Sequence, residues 1–171
     1  NESSRWLVNP NVNDFDFMSD GSAFSLAFWV YRDGQQGGTE PAYIGNNGTS
    51  TSEVGFTFYD YDTSSSGNIG FFIGGGSTVS QGGTASKLPP SELQSSITDA
   101  TWTHFVITYD ASGDKMLRMY RDGTSVATYQ VPTPFYFSTD APDNNMAIGR
   151  NITRGFINAR MADVGFWDGH V

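Results

Sequence analysis

Carboxylates and amides gather in three short stretches of this chain, and together such groups are suited to holding a hard cation. Asp140, Asp143, Asn144 and Asn145 share one stretch, Asp14, Asp16 and Asp20 a second, and Asp60 with Asp62 a third. Calcium takes about six to eight oxygens from carboxylates, amides and backbone carbonyls. Neighbouring residues in extended chain point opposite ways, so a site would draw on two loops. Calcium is the cofactor expected, with Asp140, Asp143 and Asn144 as ligands. The alternative is that Asp and Asn are here as ordinary turn residues. A different constellation, Tyr59-Asp60-Tyr61-Asp62, alternates flat rings with carboxylates. Sugar C–H faces stack on rings while polar groups fix the hydroxyls. Tyr59, Asp60, Tyr61 and Asp62, with Tyr136, are therefore the expected ligand-binding residues. Phe135 and Trp167 are further candidates near loops, whereas Trp29 and Trp102 are assigned to the core.

Catalytic constellations are harder to assemble. Glycoside hydrolysis needs two facing carboxyl groups, about 5 Å apart for retention or about 6.5–9.5 Å for inversion. Glu2, Glu40, Glu53 and Glu92 are the only glutamates, and none sits in an alternating acidic array. His104 lies between Trp102 and Val106 in a strand-like run; it could be a general base, but a hydrogen-bonded structural histidine is the plainer reading. No Gly-x-Ser-x-Gly elbow occurs. No cysteine occurs either, which excludes disulfides, thiol nucleophiles and cysteine-type zinc sites. The expectation is a protein that binds rather than catalyses.

The elements that must carry these groups read as strands. Of 171 residues, 15% are aromatic and 20 are glycine, a balance that favours pleated sheet and turns over helix. The net charge of −9, with only Lys87 and Lys115 as lysines, argues against nucleic acid or an anionic membrane surface as partner. No apolar run is long enough for a transmembrane helix. Asn1, Asn47 and Asn151 open Asn-x-Ser/Thr sequons, frequent by chance in a chain of this composition.

Alternation is clearest in Phe24–Tyr31, where Phe24, Leu26, Phe28 and Val30 share one face, and Trp29 and Tyr31 the other. Further strands are expected at Ala42–Gly45, Val54–Tyr59, Asn68–Gly74, Trp102–Tyr109, Met146–Gly149 and Phe156–Trp167. Lys115–Val131 reads as a hairpin turning at Asp122-Gly123, because both central residues tolerate positive φ. Residues 74–96 read as a long loop in which Pro89–Gln94 could form one helical turn. Residues 60–67 and 138–145 read as two more loops.

Four stretches together resemble the laminin-G-like jelly rolls of the concanavalin A-like lectin/glucanase group. They are Phe24-Ser-Leu-Ala-Phe-Trp-Val30; Trp102-Thr-His-Phe-Val-Ile-Thr-Tyr-Asp110; the hairpin from Leu117 through Gly123 to Val126-Ala127; and Met146-Ala-Ile-Gly-Arg150 followed by Phe156–Trp167. Their order and spacing span nearly the whole chain. The resemblance implies one all-β domain over 1–171, a two-sheet antiparallel β-sandwich. It implies a non-catalytic recognition module that binds a glycan or glycosylated surface through rim loops, with calcium assisting, in adhesion or attachment. Glucanases of this fold carry a Glu-x-Asp-x-x-Glu array that is missing here, which leaves glycoside hydrolysis a remote alternative. The nearer alternative is a structural, decoration or fibre-associated domain on a phage or viral particle, contacting neighbouring modules or particle proteins. Where the group usually has an Asp-Glu pair near its end, this chain has Asp163-Val164. The start at Asn1 and the stop at Val171 lead us to expect one module of a longer protein, extracellular or on a particle surface.

Overall fold

A computed structural model describes residues 7–9, 18, 22–34, 41–46, 55–60, 67–74, 87–131, 146–149 and 157–169. Among these residues eleven strands form two antiparallel sheets. One has six strands, in the order β1 (Leu7–Asn9), β10 (Met146–Ile148), β3 (Ala42–Gly45), β4 (Phe56–Asp60), β5 (Asn68–Gly74) and β6 (Lys87–Ser96). The other has five, in the order β11 (Ala159–Asp168), β2 (Phe24–Arg32), β7 (Trp102–Tyr109), β8 (Met116–Arg121) and β9 (Thr124–Gln130). This is the expected jelly-roll sandwich.

The core lies between the sheets, built from the period-two stripes that the sequence displays. From β2 come Phe24, Leu26, Phe28 and Val30; from β7 Phe105, Ile107 and Tyr109; from β8 Leu117 and Met119. Facing them are Ile44, Phe56, Phe58, Ile69, Phe71 and Ile73. Aromatic rings interlock across the middle. Phe28 meets Phe58 edge to face at 4.7 Å between centroids, and Phe58 meets Phe105 at 5.2 Å. Such pairs add about 0.5–1.5 kcal/mol beyond the area they bury.

The hairpin between β8 and β9 turns at Asp122 (φ 50°) and Gly123 (φ 78°), the two-residue turn expected from that pair. The helical turn expected at Pro89–Gln94 is corrected: these residues belong to β6. Proline has no N–H to give a ladder, but β6 is the outer strand of its sheet, where one side needs no partner. The two prolines fall where the β5–β6 register shifts, between Leu93 opposite Phe71 and Leu88 opposite Ile73. After them Leu93, Ser95 and Ile97 alternate inward. β1 was not expected, because three residues carry no period; it is held by pairing with β10.

Two arginines on the inward face bind the sheets together. Arg32, at the end of β2, is fully buried; its Nε donates to Asp60 Oδ2 at 2.8 Å, and its Nη1 reaches Asp99. Arg121, at the end of β8, donates through Nη1 to the Ser96 carbonyl and Ser96 Oγ, both at 2.7 Å. The crossover from β6 to β7 is thus gripped twice. It is pinned again by Ile97 N–H on the Gly67 carbonyl (3.0 Å) and Ala100 N–H on the Arg32 carbonyl (2.9 Å).

Candidate functional site

Alternation that sends Phe24, Leu26, Phe28 and Val30 inward sends Ser25, Ala27, Trp29 and Tyr31 to the outer face of the five-stranded sheet. The neighbouring strands extend the same surface in rows. Tyr31 stands between Arg160 on β11 and Trp102 on β7, and Trp29 between Ala162 and His104. Tyr31 and Trp102 lie 5.6 Å apart between ring centroids, Trp29 and His104 4.9 Å. The Arg160 guanidinium sits 4.7 Å above the Tyr31 ring and donates to Asp33 Oδ1 at 3.1 Å. Stacking of this kind holds an arginine flat and prolongs the aromatic surface. The indoles remain open to solvent: Trp29 is 37% exposed, Trp102 42% and Trp167 46%. The assignment of Trp29 and Trp102 to the core is therefore corrected. A two-sheet sandwich has one interior, and these residues are on the wrong phase of their strands to reach it.

Trp167 reaches this face through an irregularity in β11. Ala162 pairs with Trp29 and Gly165 with Ala27, so β11 spends one more residue than β2 over the same span. Asp163 takes the left-handed conformation there (φ 50°), as short polar residues can. The extra residue inverts the phase of the strand. Before it Met161 faces the core and Arg160 and Ala162 face out; after it Val164 and Phe166 pack toward the core and Gly165 and Trp167 face out. Phe166 meets Phe56 at 6.0 Å. The Trp167 indole folds back over Gly165, where a Cβ would stand 2.9 Å from Cζ2; no larger residue fits at 165 without moving the ring.

Of the residues expected to bind ligand, Tyr59 and Asp60 are described, and neither lies on this surface. Tyr59 lies in β4 as expected, and Asp60 belongs to that strand too rather than to the loop after it; they are 1% and 0% exposed. The reading of these two as open glycan contacts is corrected. Tyr59 lies over Gly70 and against Phe72, in a small cluster with Ala42. Asp60 holds Arg32 and accepts from the Tyr43 hydroxyl at 3.1 Å. Burial lifts the Tyr43 phenol well above its ordinary range, and the Asp60 charge pushes it the same way. Tyr61, Asp62, Tyr136, Asp140, Asp143 and Asn144 lie outside the described residues. Among the described residues no group of three or more His, Asp or Glu could hold a metal ion.

His104 sits on the outer face beside Trp29; its backbone N–H donates to Asp122 Oδ1 (2.9 Å) and its carbonyl accepts from Asp122 N–H (2.9 Å). Among the described residues no helix is long and apolar enough to cross a membrane.

Comparison with known proteins agrees with this architecture. The fold superimposes on the CBM40 of a Ruminococcus gnavus IT-sialidase, a structure with α2,3-sialyllactose bound, at a TM-score of 0.63 and 12% identity over 100% of this chain and 90% of that one. It matches the binding domain of botulinum neurotoxin DC in complex with rat synaptotagmin II at 0.60 and 13% identity, over 97% of this chain and 37% of that one. It also matches a structure of botulinum neurotoxin type C, whose cell entry depends on interaction with two ganglioside molecules, at 0.57 and 15% identity, over 97% and 37%. The chain thus spans most of the sialidase module but little more than a third of the toxin chains. No curated protein sequence matches. A laminin-G-type family model covers residues 7–171, and with the two-sheet jelly roll on which it falls, it shows that the chain belongs to the concanavalin A-like lectin/glucanases superfamily.

Proposed function

We propose that the chain is a non-catalytic carbohydrate-recognition module whose binding surface is the outer face of the five-stranded sheet. The observation that carries this reading is the gathering of Trp29, Trp102 and Trp167, all exposed, with Tyr31 on one rigid surface. Exposed indoles gathered in one patch mark an interaction surface, and their faces suit the C–H side of a sugar ring. Placement on strands holds the rings in position before ligand arrives, which lowers the cost of binding. The solved structures of the same fold, one with a sialylated sugar bound and one tied to gangliosides, support the ligand class. A non-catalytic role is supported by Asp60, the acidic residue of the candidate Tyr-Asp run that the structure describes, being buried against Arg32 and Tyr43 rather than presented to a cleft. A module with this role acts outside a membrane, on a glycosylated surface.

The test is a glycan array probed with the wild-type chain in calcium, followed by titration of a bound glycan against Trp102→Ala and Trp167→Ala. Binding is expected for the wild type, with a loss of about tenfold or more in each variant, or about 1.4 kcal/mol, at a nearly unchanged urea midpoint. An array without a binder sinks the reading. The calcium expectation at Asp140, Asp143 and Asn144 is part of the same proposal; its measurement is calorimetric titration after EDTA treatment, with heat and a raised melting temperature expected.

A further inference from the structure

We infer that the ligand of the aromatic face is an uncharged oligosaccharide, at least two rings long, rather than an acidic glycan; this rests on the carbohydrate-recognition reading above. A carboxylate or sulfate on a sugar is bound by a cation able to turn toward it, most effectively a bidentate arginine. Among the described residues the arginines of this face are already committed. Arg160 is stacked on Tyr31 and bound to Asp33. Arg118, in the row with Thr108, is bound to Asp114 through both terminal nitrogens, one at 3.1 Å. Arg32 and Arg121 face inward and hold Asp60, Asp99, Ser95 and Ser96. The carboxylates that hold the two arginines of this face, Arg160 and Arg118, are those of Asp33 and Asp114. The chain as a whole carries −9. An anionic ligand is repelled at long range and finds, among the described residues, no uncommitted guanidinium at short range.

The groups that remain for a ligand are those suited to hydroxyls. Indole N–H groups donate, the Tyr31 and Tyr120 hydroxyls donate and accept, and the His104 ring does both when neutral. The ring pairs Tyr31–Trp102 and Trp29–His104 occupy successive outward positions of β2 and β7, a spacing of about 7 Å along the strands. Two stacking tiers at that separation serve two sugar rings, and Trp167, over Gly165, extends the line toward a third. Charge separates this surface from the sialylated ligand of the structurally similar sialidase module.

The experiment uses one glycan array printed twice, untreated and after sialidase digestion. The chain, Trp29→Ala and Trp102→Ala are applied to both. A bound oligosaccharide is then compared with its constituent monosaccharide by tryptophan fluorescence, at about 0.05 and 0.5 M salt. Expected are signals retained or increased after digestion and loss of about tenfold or more in the variants. The Kd should change less than about twofold with salt, and the oligosaccharide should bind at least about tenfold more tightly than the monosaccharide. Binding abolished by sialidase treatment, or weakened strongly by salt, overturns the inference while leaving carbohydrate recognition standing. Equal affinity for the monosaccharide overturns the length. Signals indifferent to both tryptophan substitutions overturn the site, and an array with no binder overturns the carbohydrate reading itself.

Discussion

Asp60 and Arg32 show how a pair of charges can stand where the pattern calls for apolar residues. Each extends an inward stripe by one step: Asp60 follows Phe56 and Phe58, and Arg32 follows Leu26, Phe28 and Val30. Read singly, each looks like the point where a strand reaches solvent, and that is why Asp60 reads as a loop residue from the sequence. Their compensation is invisible until the two sheets face each other, since 28 residues separate them. Removing Asp60 leaves the buried Arg32 with Asp99 as its carboxylate and takes the acceptor from the Tyr43 hydroxyl, so Asp60→Ala is expected to cost about 1–3 kcal/mol in urea unfolding. The same variant should keep its affinity for glycan under conditions where it is folded, because the pair lies on the inward side. Gly123 makes a smaller demand. Nothing lies within 4 Å of where its Cβ would be, so Gly123→Ala meets only the backbone cost of φ +78°, about 1–2 kcal/mol in thermal or urea melts.

Strands were legible where the period runs unbroken, as in β2, β7 and the β8–β9 hairpin, because alternation and turn chemistry are local. They were less legible where the backbone departs from the pleat. In β6 the prolines suggested a turn, and only the position of β6 at the sheet edge makes them tolerable. In β11 the phase inverts at Asp163, and no pattern of fixed period can announce that from one sequence. The surface tryptophans were missed for a related reason: a large apolar side chain was weighed above the phase of its strand. Two outcomes follow for β11. Asp163→Gly relaxes the left-handed residue and is expected to change stability by less than about 1 kcal/mol in either direction, with glycan binding intact. Deleting residue 163 removes the extra residue, and strict alternation in the same register with β2 then keeps Val164 and Phe166 inward and Gly165 and Trp167 outward. Retention of the long-wavelength component of tryptophan emission in this variant is the expected outcome, and its loss would show that Trp167 had turned inward.

Across the whole molecule, burial raises the phenols of Tyr43, Tyr109 and Tyr129 above their ordinary range. An acid whose folded pKa exceeds its unfolded value of about 10 favours the folded state fully below that pH and loses this advantage as pH rises through the folded pKa. Urea midpoints are therefore expected to be flat near neutrality and to fall above about pH 10, with a shallower fall in Tyr43→Phe. The doubly gripped crossover between β6 and β7 carries a mechanical consequence. The sheets cannot shear past each other at that end without breaking the contacts of Arg32 and Arg121 together, so the segment acts as a latch rather than a tether. In hydrogen–deuterium exchange the amides of Ile97 and Ala100 should open only with global unfolding, and in Arg121→Ala they should begin to exchange by a local route. A module latched in this way could transmit a pull on its bound surface to the rest of the chain without yielding first at its own seam.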